Sequence, residues 1–211
     1  AHQLRNPASA VLTLAETLPQ VHDPAERAHC EEQLIEAART SARLSEQLLS
    51  LERLRYDQNT VMTPFDLSKL VEDVCRTFAA KALSRDLDFT LTQSAGPLTI
   101  TGNSILIGEA LMNLLENALT HGGGEMTAIK VQTTTDGDTV AITVEDDGVG
   151  IPPDKVSTAF RRFSQLQHGD GTGLGLAIAE QVMVRHAGRV DFVPSEKGTT
   201  FCLWFPRQST A

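Results

Sequence analysis

With 211 residues the chain has room for one large domain or two small ones, and its 41% apolar share is enough for packed cores. A formal charge of −9 leaves no basic excess to neutralise phosphates, which excludes nucleic acid as a main partner. No apolar run approaches the ~20 residues of a membrane-spanning helix, and Cys30, Cys75 and Cys202 lie far apart in apolar contexts, so they read as reduced core thiols in a cytosolic setting.

Leu4, Ala8, Val11, Ala15 and Leu18 make a helical stripe over residues 1–18. Pro7 is expected to bend that helix, and the turn formers from Pro19 to Pro24 to end it. A second helix is predicted from Ala25 to Tyr56, where Leu34, Ala37, Ser41, Leu44, Leu48, Leu51 and Leu54 form a heptad seam. One hairpin cannot bury two apolar faces. A dimeric four-helix bundle is the simplest solution; a hairpin packed on its own domain is the other. The chain begins within the first helical pattern, as expected for a piece of a longer protein.

Residues 57–63 read as a linker into a short strand. Asp66 is a predicted N-cap for a helix over 67–83, with Leu70, Val74, Phe78 and Ala82 on its apolar face. Strands follow at Leu87–Gln93 and Leu98–Thr101, then a helix from Ser104 to His121 that ends at Gly122-Gly123-Gly124. Asp136-Gly137-Asp138 joins strands Met126–Thr134 and Thr139–Glu145 as a hairpin. After a long connection come a helix from Leu174 to about His186 and a second hairpin, Arg189–Val193 with Thr199–Phe205. The fold class is α+β: an N-terminal helical hairpin over 1–60, then an α/β two-layer sandwich with a mixed sheet over 61–211.

The long connection draws attention because it is bounded by glycines. Glu145-Asp146-Asp147-Gly148-Val149-Gly150 opens it and Gly169-Asp170-Gly171-Thr172-Gly173-Leu174-Gly175 closes it. Such a segment inside a compact domain reads as a lid or binding loop. The second cluster feeds a helix N-terminus, where unpaired N–H groups and the dipole favour an anion such as phosphate. Asn113 and Asn117, four apart, share one helix face and offer oxygen ligands without adding charge. His2 is the candidate nucleophile, because a neutral imidazole attacks phosphoryl groups and its unperturbed pKa of about 6.5 leaves it largely neutral at pH 7.

Asn113-Leu114-Leu115-Glu116-Asn117, Asp146-Asp147-Gly148-Val149-Gly150 and Gly171-Thr172-Gly173-Leu174-Gly175, in this order, resemble the ATP-binding domain of sensor histidine kinases. That domain has wider relatives among Hsp90-like, MutL-like and gyrase-like ATPases and has the Bergerat-type fold. His2-Gln3-Leu4-Arg5-Asn6-Pro7 resembles the phosphoacceptor box of the same kinases, so the resemblance covers nearly the whole chain.

The resemblance implies ATP and Mg²⁺ as cofactors, with Asn117 as the magnesium ligand. Hydrolytic relatives carry a water-activating glutamate at the position of Asn113; an asparagine there cannot act as a base, which favours transfer over hydrolysis. Asp146 is implied as the acceptor for the adenine amino group. Asp147 is expected to be a solvated turn residue. Gly148 and Gly150 are expected to admit the base, and Gly171, Thr172, Gly173, Leu174 and Gly175 the phosphates. Phe160 and Phe163 match the lid's phenylalanine box. Arg162 there either reaches phosphate or is solvated. His121 is expected to cover the nucleotide, Thr199 joins the ATP-binding set, and Thr120 stands where family members often carry a cation.

Gln3 replaces the family's usual carboxylate beside the phosphoacceptor. Its carbonyl can accept the ring N–H but cannot take the proton, so slower autophosphorylation is expected. Asn6, one turn beyond His2, is implied in orienting water for the reverse, phosphatase activity.

The implied function is autophosphorylation on His2 and transfer to an aspartate of a response-regulator receiver domain. The chain would act as a homodimer, as the cytoplasmic fragment of an inner-membrane sensor, without nucleic acid. The rival readings are a phosphatase-dominant protein, a non-enzymatic phosphotransfer or docking hairpin, and an Hsp90-like ATPase.

Overall fold

A computed structural model of the chain describes the backbone of residues 2–56, 60–94, 96, 98–152, 160, 173–193 and 197–207, and the side chains of these apart from 2–7 and 55. The chain divides into two compact units, Ala1–Arg53 and Leu54–Ala211. Among the described residues no helix is long and apolar enough to cross a membrane.

The first unit is a helical hairpin. Helix α1 (His2–Thr17) runs without a break past Pro7, and a 3₁₀ turn at Leu18–Gln20 ends it. Helix α2 (Pro24–Tyr56) starts where the Asp23 carboxylate accepts the N–H groups of Ala25 and Glu26, at 3.0 and 2.9 Å. The Cys30 thiol lies 3.9 Å from the Leu14 carbonyl, so α2 folds back along α1. On α1 the covered positions are Ala10, Val11, Leu14 and Leu18, whereas Ala8 and Ala15 of the expected stripe are exposed. Leu14 buries more apolar surface than its alanine neighbour, and the helix turns to suit it. The α2 seam is as expected: Leu44, Leu51 and Leu54 are buried, and Leu34, Ala37, Ser41 and Leu48 half-buried. A second row at seven-residue spacing, Ile35, Ala42, Leu49 and Tyr56, is exposed.

The second unit is the expected two-layer α/β sandwich. Strand β1 (Thr63–Asp66) leads into α3 (Leu67–Leu83), β2 (Asp88–Thr92), β3 (Thr99–Gly102), α4 (Ser104–His121), β4 (Ala128–Asp136) and β5 (Thr139–Asp146). Helix α5 (Gly175–Arg185), β6 (Arg189–Val193) and β7 (Thr199–Pro206) complete it. The main sheet is mixed, in the order β2-β4-β5-β7-β6, with only β2 and β4 parallel. Strands β1 and β3 form a separate antiparallel pair.

Helices α3, α4 and α5 cover one face of the main sheet. Alternation along β5 and β7 puts Val140, Ile142, Val144, Phe201, Leu203 and Phe205 on one face, and they are buried, as are Phe78, Leu111, Leu114 and Ile178 on the helices. Helix ends follow local chemistry. Asp66 caps α3 through Ser68 N–H at 2.9 Å, and Asn103 caps α4 through Leu106 N–H at 3.0 Å. All three cysteines are free and buried, and desolvation pushes the Cys75 thiol up to about 12, which suppresses its thiolate chemistry.

Most element bounds fall within one or two residues of expectation, and two of the shifts have a local cause. Strand β4 begins at Ala128 instead of Met126, because Asp147 takes the N–H groups of Thr127 and Ala128, and Met126 turns inward beside Gly122. Helix α5 begins at Gly175 instead of Leu174, whose side chain is wholly buried.

Candidate functional site

The site is built where β5 ends and α4 ends. Asp146 closes β5 opposite Thr199, the first residue of β7, and both are buried. One carboxylate oxygen, Oδ1, accepts the N–H of Gly148 at 3.0 Å and that of Thr199 at 3.2 Å. Burial raises the carboxyl above its ordinary range. The backbone bonds from Gly148 and Thr199 and the Thr199 hydroxyl oppose that rise, and neighbouring Asp147 adds slightly to it. The result is a desolvated acceptor with a fixed direction, suited to a flat amino-bearing ring.

The walls around Asp146 are backbone. A Cβ on Gly148 would lie 2.2 Å from the Gly122 carbonyl, so β5 and the end of α4 touch here through two glycines. The Val149 N–H closes that contact by donating to the Gly122 carbonyl at 2.9 Å. Gly198, at φ +80°, lies so close to Asp146 that a Cβ would sit 1.8 Å from its carbonyl oxygen. Gly150 in turn faces the Gly198 carbonyl.

Asp147 is not a merely solvated turn residue. Its carboxylate accepts Thr127 N–H at 2.8 Å, Ala128 N–H at 2.9 Å and the Thr127 hydroxyl at 2.5 Å. Desolvation acts to raise this carboxyl, but these bonds outweigh it and bring it down to about 2. Asp147 thereby pins the start of β4 to the end of β5, directly beside Asp146.

Helix α4 lines the site lengthwise. Asn113, Asn117 and His121 follow at intervals of four on one face, spanning about 12 Å at 1.5 Å per residue. Asn113 is buried and donates through Nδ2 to the Glu109 carbonyl at 3.0 Å, which fixes the direction of its amide oxygen. That oxygen faces Gly175, where a Cβ would stand 3.3 Å from it. The N-terminus of α5 and the asparagine face therefore meet at one end of the site. His121 is half-buried at the other end, beside Gly122, and desolvation lowers its pKa. Asn117 is half-buried between them, and Thr120 is exposed.

Hard amide oxygens beside a helix N-terminus suit Mg²⁺ held mainly by phosphate oxygens. Among the described residues no three His, Cys, Asp or Glu side chains gather to hold an ion by themselves.

Phe160 packs edge-on against Phe201 of β7, with ring centroids 5.9 Å apart. Gly173 is described, with φ +67°. Leu174 can reach a ligand only through its backbone, since its side chain is buried. Arg162, Phe163, Gly171 and Thr172 lie outside the described residues, as do the side chains of His2, Gln3 and Asn6. Sequence reasoning missed Gly122, Thr127 and Gly198. The signal for Gly198 was a lone glycine before a strand, which is ordinarily a turn.

The profile of the histidine kinase-, DNA gyrase B- and HSP90-like ATPases matches residues 102–209. The chain is 30% identical, over 98% of its length, to the sensor histidine kinase RppB of Synechocystis sp. (strain ATCC 27184 / PCC 6803 / Kazusa), and covers 47% of that protein. It is likewise 30% identical, over 98% of its length, to the probable sensor histidine kinase TcrY of Mycobacterium tuberculosis, and covers 44% of it. The chain thus spans less than half the length of these relatives.

The solved catalytic domain of histidine kinase ThkA superposes on 69% of the chain with a TM-score of 0.63 and 26% identity, and 95% of that domain is covered. ThkA in complex with response regulator protein TrrA superposes on 99% of the chain, TM-score 0.79, with 60% of that structure covered. Its 23% identity speaks for the fold alone.

Proposed function

The chain belongs to the family of histidine kinase-, DNA gyrase B- and HSP90-like ATPases, and on that premise we propose that it is the catalytic core of a sensor histidine kinase of a two-component system. The observation that carries the reading is Asp146, a buried carboxylate aimed by Gly148 and Thr199 at one end of an asparagine-lined helix. On this reading residues 61–211 hold ATP along α4. Its base lies at Asp146, between Gly148, Gly150 and His121. Its phosphates lie between Asn113, Asn117 and the start of α5, where Gly171, Thr172, Gly173, Leu174 and Gly175 offer backbone N–H groups.

Mg²⁺ bound by Asn117 would neutralise phosphate charge there. Asn113 orients but cannot deprotonate water, so the γ-phosphoryl is kept for another nucleophile. That nucleophile is His2. A ring nitrogen forms the N–P bond while the bond to the bridging oxygen breaks and ADP leaves. Gln3 accepts the hydrogen bond of the other ring N–H, and Asn6 orients water in the reverse reaction. Arg162, Phe160 and Phe163 belong to the lid that covers ATP. Catalysis by this set rests on positioning and charge neutralisation.

The hairpin of residues 1–60 pairs two copies of the chain. The exposed row Ile35, Ala42, Leu49 and Tyr56 supports this, since heptad-spaced apolar residues suit a helical partner. The next acceptor is the aspartate of a response-regulator receiver domain, in the cytoplasm beneath a membrane sensor. A balance weighted to the phosphatase reaction is the second reading, favoured by Gln3 and by the exposed, uncharged Thr120.

Incubation with γ-labelled Mg-ATP tests the proposal. Acid-labile, base-stable label is expected, and it should vanish in both His2→Ala and Asn117→Ala. Label that survives His2→Ala refutes the assignment of the nucleophile. Failure to bind ATP at all refutes the whole reading.

A further inference from the structure

Helix α2 ends at Tyr56, and its last turn leaves backbone carbonyls without helical partners. One of them is met from far along the chain. The Arg185 Nε donates to the Leu54 carbonyl at 3.0 Å, and its Nη1 hydrogen-bonds the Thr60 hydroxyl. A guanidinium is well suited to this: its fork serves two acceptors at once, and its charge complements a helix C-terminus. A second hold lies alongside. The Asn103 Nδ2 donates to the Val61 carbonyl at 3.4 Å, while its Oδ1 caps α4.

The two holds are joined by His186. Its Nδ1–H donates to the Val182 carbonyl at 2.7 Å, and its Nε2 accepts the Asn103 N–H at 2.9 Å. The end of α5 and the start of α4 therefore form one clasp. Helix α5 is 11 residues long, about 16 Å. Its other end is the one that faces Asn113 across Gly175. The same short helix thus carries Gly175, which faces Asn113, at one end and the clasp at the other.

We propose that Arg185 is a positioning residue for phosphoryl transfer: with Asn103 it fastens the connection at Leu54, Thr60 and Val61 onto the ATP-binding unit, so that the phosphoacceptor hairpin works from a short tether. This rests on the kinase reading above. Releasing the clasp frees up to about 20 Å of extended chain. The histidine then searches a larger volume around the nucleotide, and its effective concentration falls.

The test uses the full 211-residue chain. Autophosphorylation at varied Mg-ATP, affinity for a non-hydrolysable ATP analogue, and hydrogen exchange at the amides of residues 60–62 are measured together. The variants are Arg185→Gln, Arg185→Lys and Thr60→Val. Arg185→Gln is expected to speed linker exchange and lower kcat about fivefold or more, with KM for ATP and analogue affinity unchanged. Lysine, with a single charged donor group, should restore part of kcat. Thr60→Val, which spares α5, should move both readouts in the same direction by less, and it decides the matter if Arg185→Gln does not fold.

Unchanged or faster phosphorylation in a variant with a loosened linker overturns the proposal. So does a loss of analogue affinity that parallels the loss of rate. If the wild-type chain takes no label, the kinase reading fails. The clasp is then judged by hydrogen exchange alone, and equal protection in wild type and Arg185→Gln overturns it.

Discussion

Asp146→Asn is the substitution that separates a recognition carboxylate from a structural one. The asparagine is isosteric, so the strand end keeps its shape. Its oxygen can still accept the N–H groups of Gly148 and Thr199, which now lie 3.0 and 3.2 Å from Oδ1. The amide nitrogen then faces the ligand, and a donor meets the adenine amino donor. Flipping the amide rescues the ligand bond but turns the nitrogen onto two backbone donors. Either way at least one buried match is lost.

A charge-assisted hydrogen bond contributes about 1.5–3 kcal/mol, and an unmatched buried donor costs about 1–3 kcal/mol. Allowing for partial relief by solvent, the ATP complex should weaken by about 2–4 kcal/mol, roughly 30- to 700-fold in Kd. GTP, whose ring presents a carbonyl in place of the amino group, should gain relative to ATP. Folding stability should hardly fall, because the wild-type carboxylate is itself desolvated. Its raised pKa means the folded state holds the proton more tightly than the unfolded one. The contribution of this group to stability is therefore greatest below the unfolded pKa and declines as pH rises through the folded value. Titration calorimetry with ATP and GTP, with a thermal melt beside it, makes the measurement. An ATP Kd within threefold of wild type in a folded variant would refute the role assigned to Asp146.

Asp147→Asn should behave oppositely. Its carboxyl is depressed to about 2, so the stabilisation it provides is present above the unfolded pKa of about 3.9 and is lost as pH falls toward 2. The variant should be about 1 kcal/mol less stable at pH 7 after solvent screening, and its denaturation curve should no longer change between pH 4 and 2 on this account.

His186 is buried with a lowered pKa, caused first by desolvation, then opposed by the Val182 carbonyl and assisted by Arg185. Stability should be complete above about pH 6.5 and decline as pH falls toward the folded value, because a protonated Nε2 confronts the Asn103 N–H. Half-buried His121 titrates in the same direction, so His121→Gln should be the background in which His186→Gln is tested by urea melts at pH 5.5 and 7.5. Ala187 occupies the left-handed region at φ +51°, where Gly188 and Ala187 N–H groups close the end of α5 on the Met183 and Val184 carbonyls. Relief of about 1–2 kcal/mol of strain, offset by about 0.4–1 kcal/mol of unfolded-chain entropy, should make Ala187→Gly slightly more stable by thermal melt.

Much of this molecule is determined by local sequence. The bounds of α3 and α4 follow from Asp66, from the apolar period and from Gly122, because capping and amphipathicity act within one or two turns. Gly137 sets the β4–β5 hairpin for the same reason. The two glycine clusters and the asparagine pair pointed to the candidate site by type and order. What tertiary structure decided is every contact between distant segments. The order β2-β4-β5-β7-β6 and the separation of β1 and β3 into their own sheet depend on which edges meet. Gly198 under Asp146, Gly122 against Gly148, Asp147 across to Thr127, and Arg185 back to Leu54 carry no local period. They arise because burying the two layers leaves particular backbone groups unpaired at the edges, and whichever side chain reaches them from the folded chain supplies the partner.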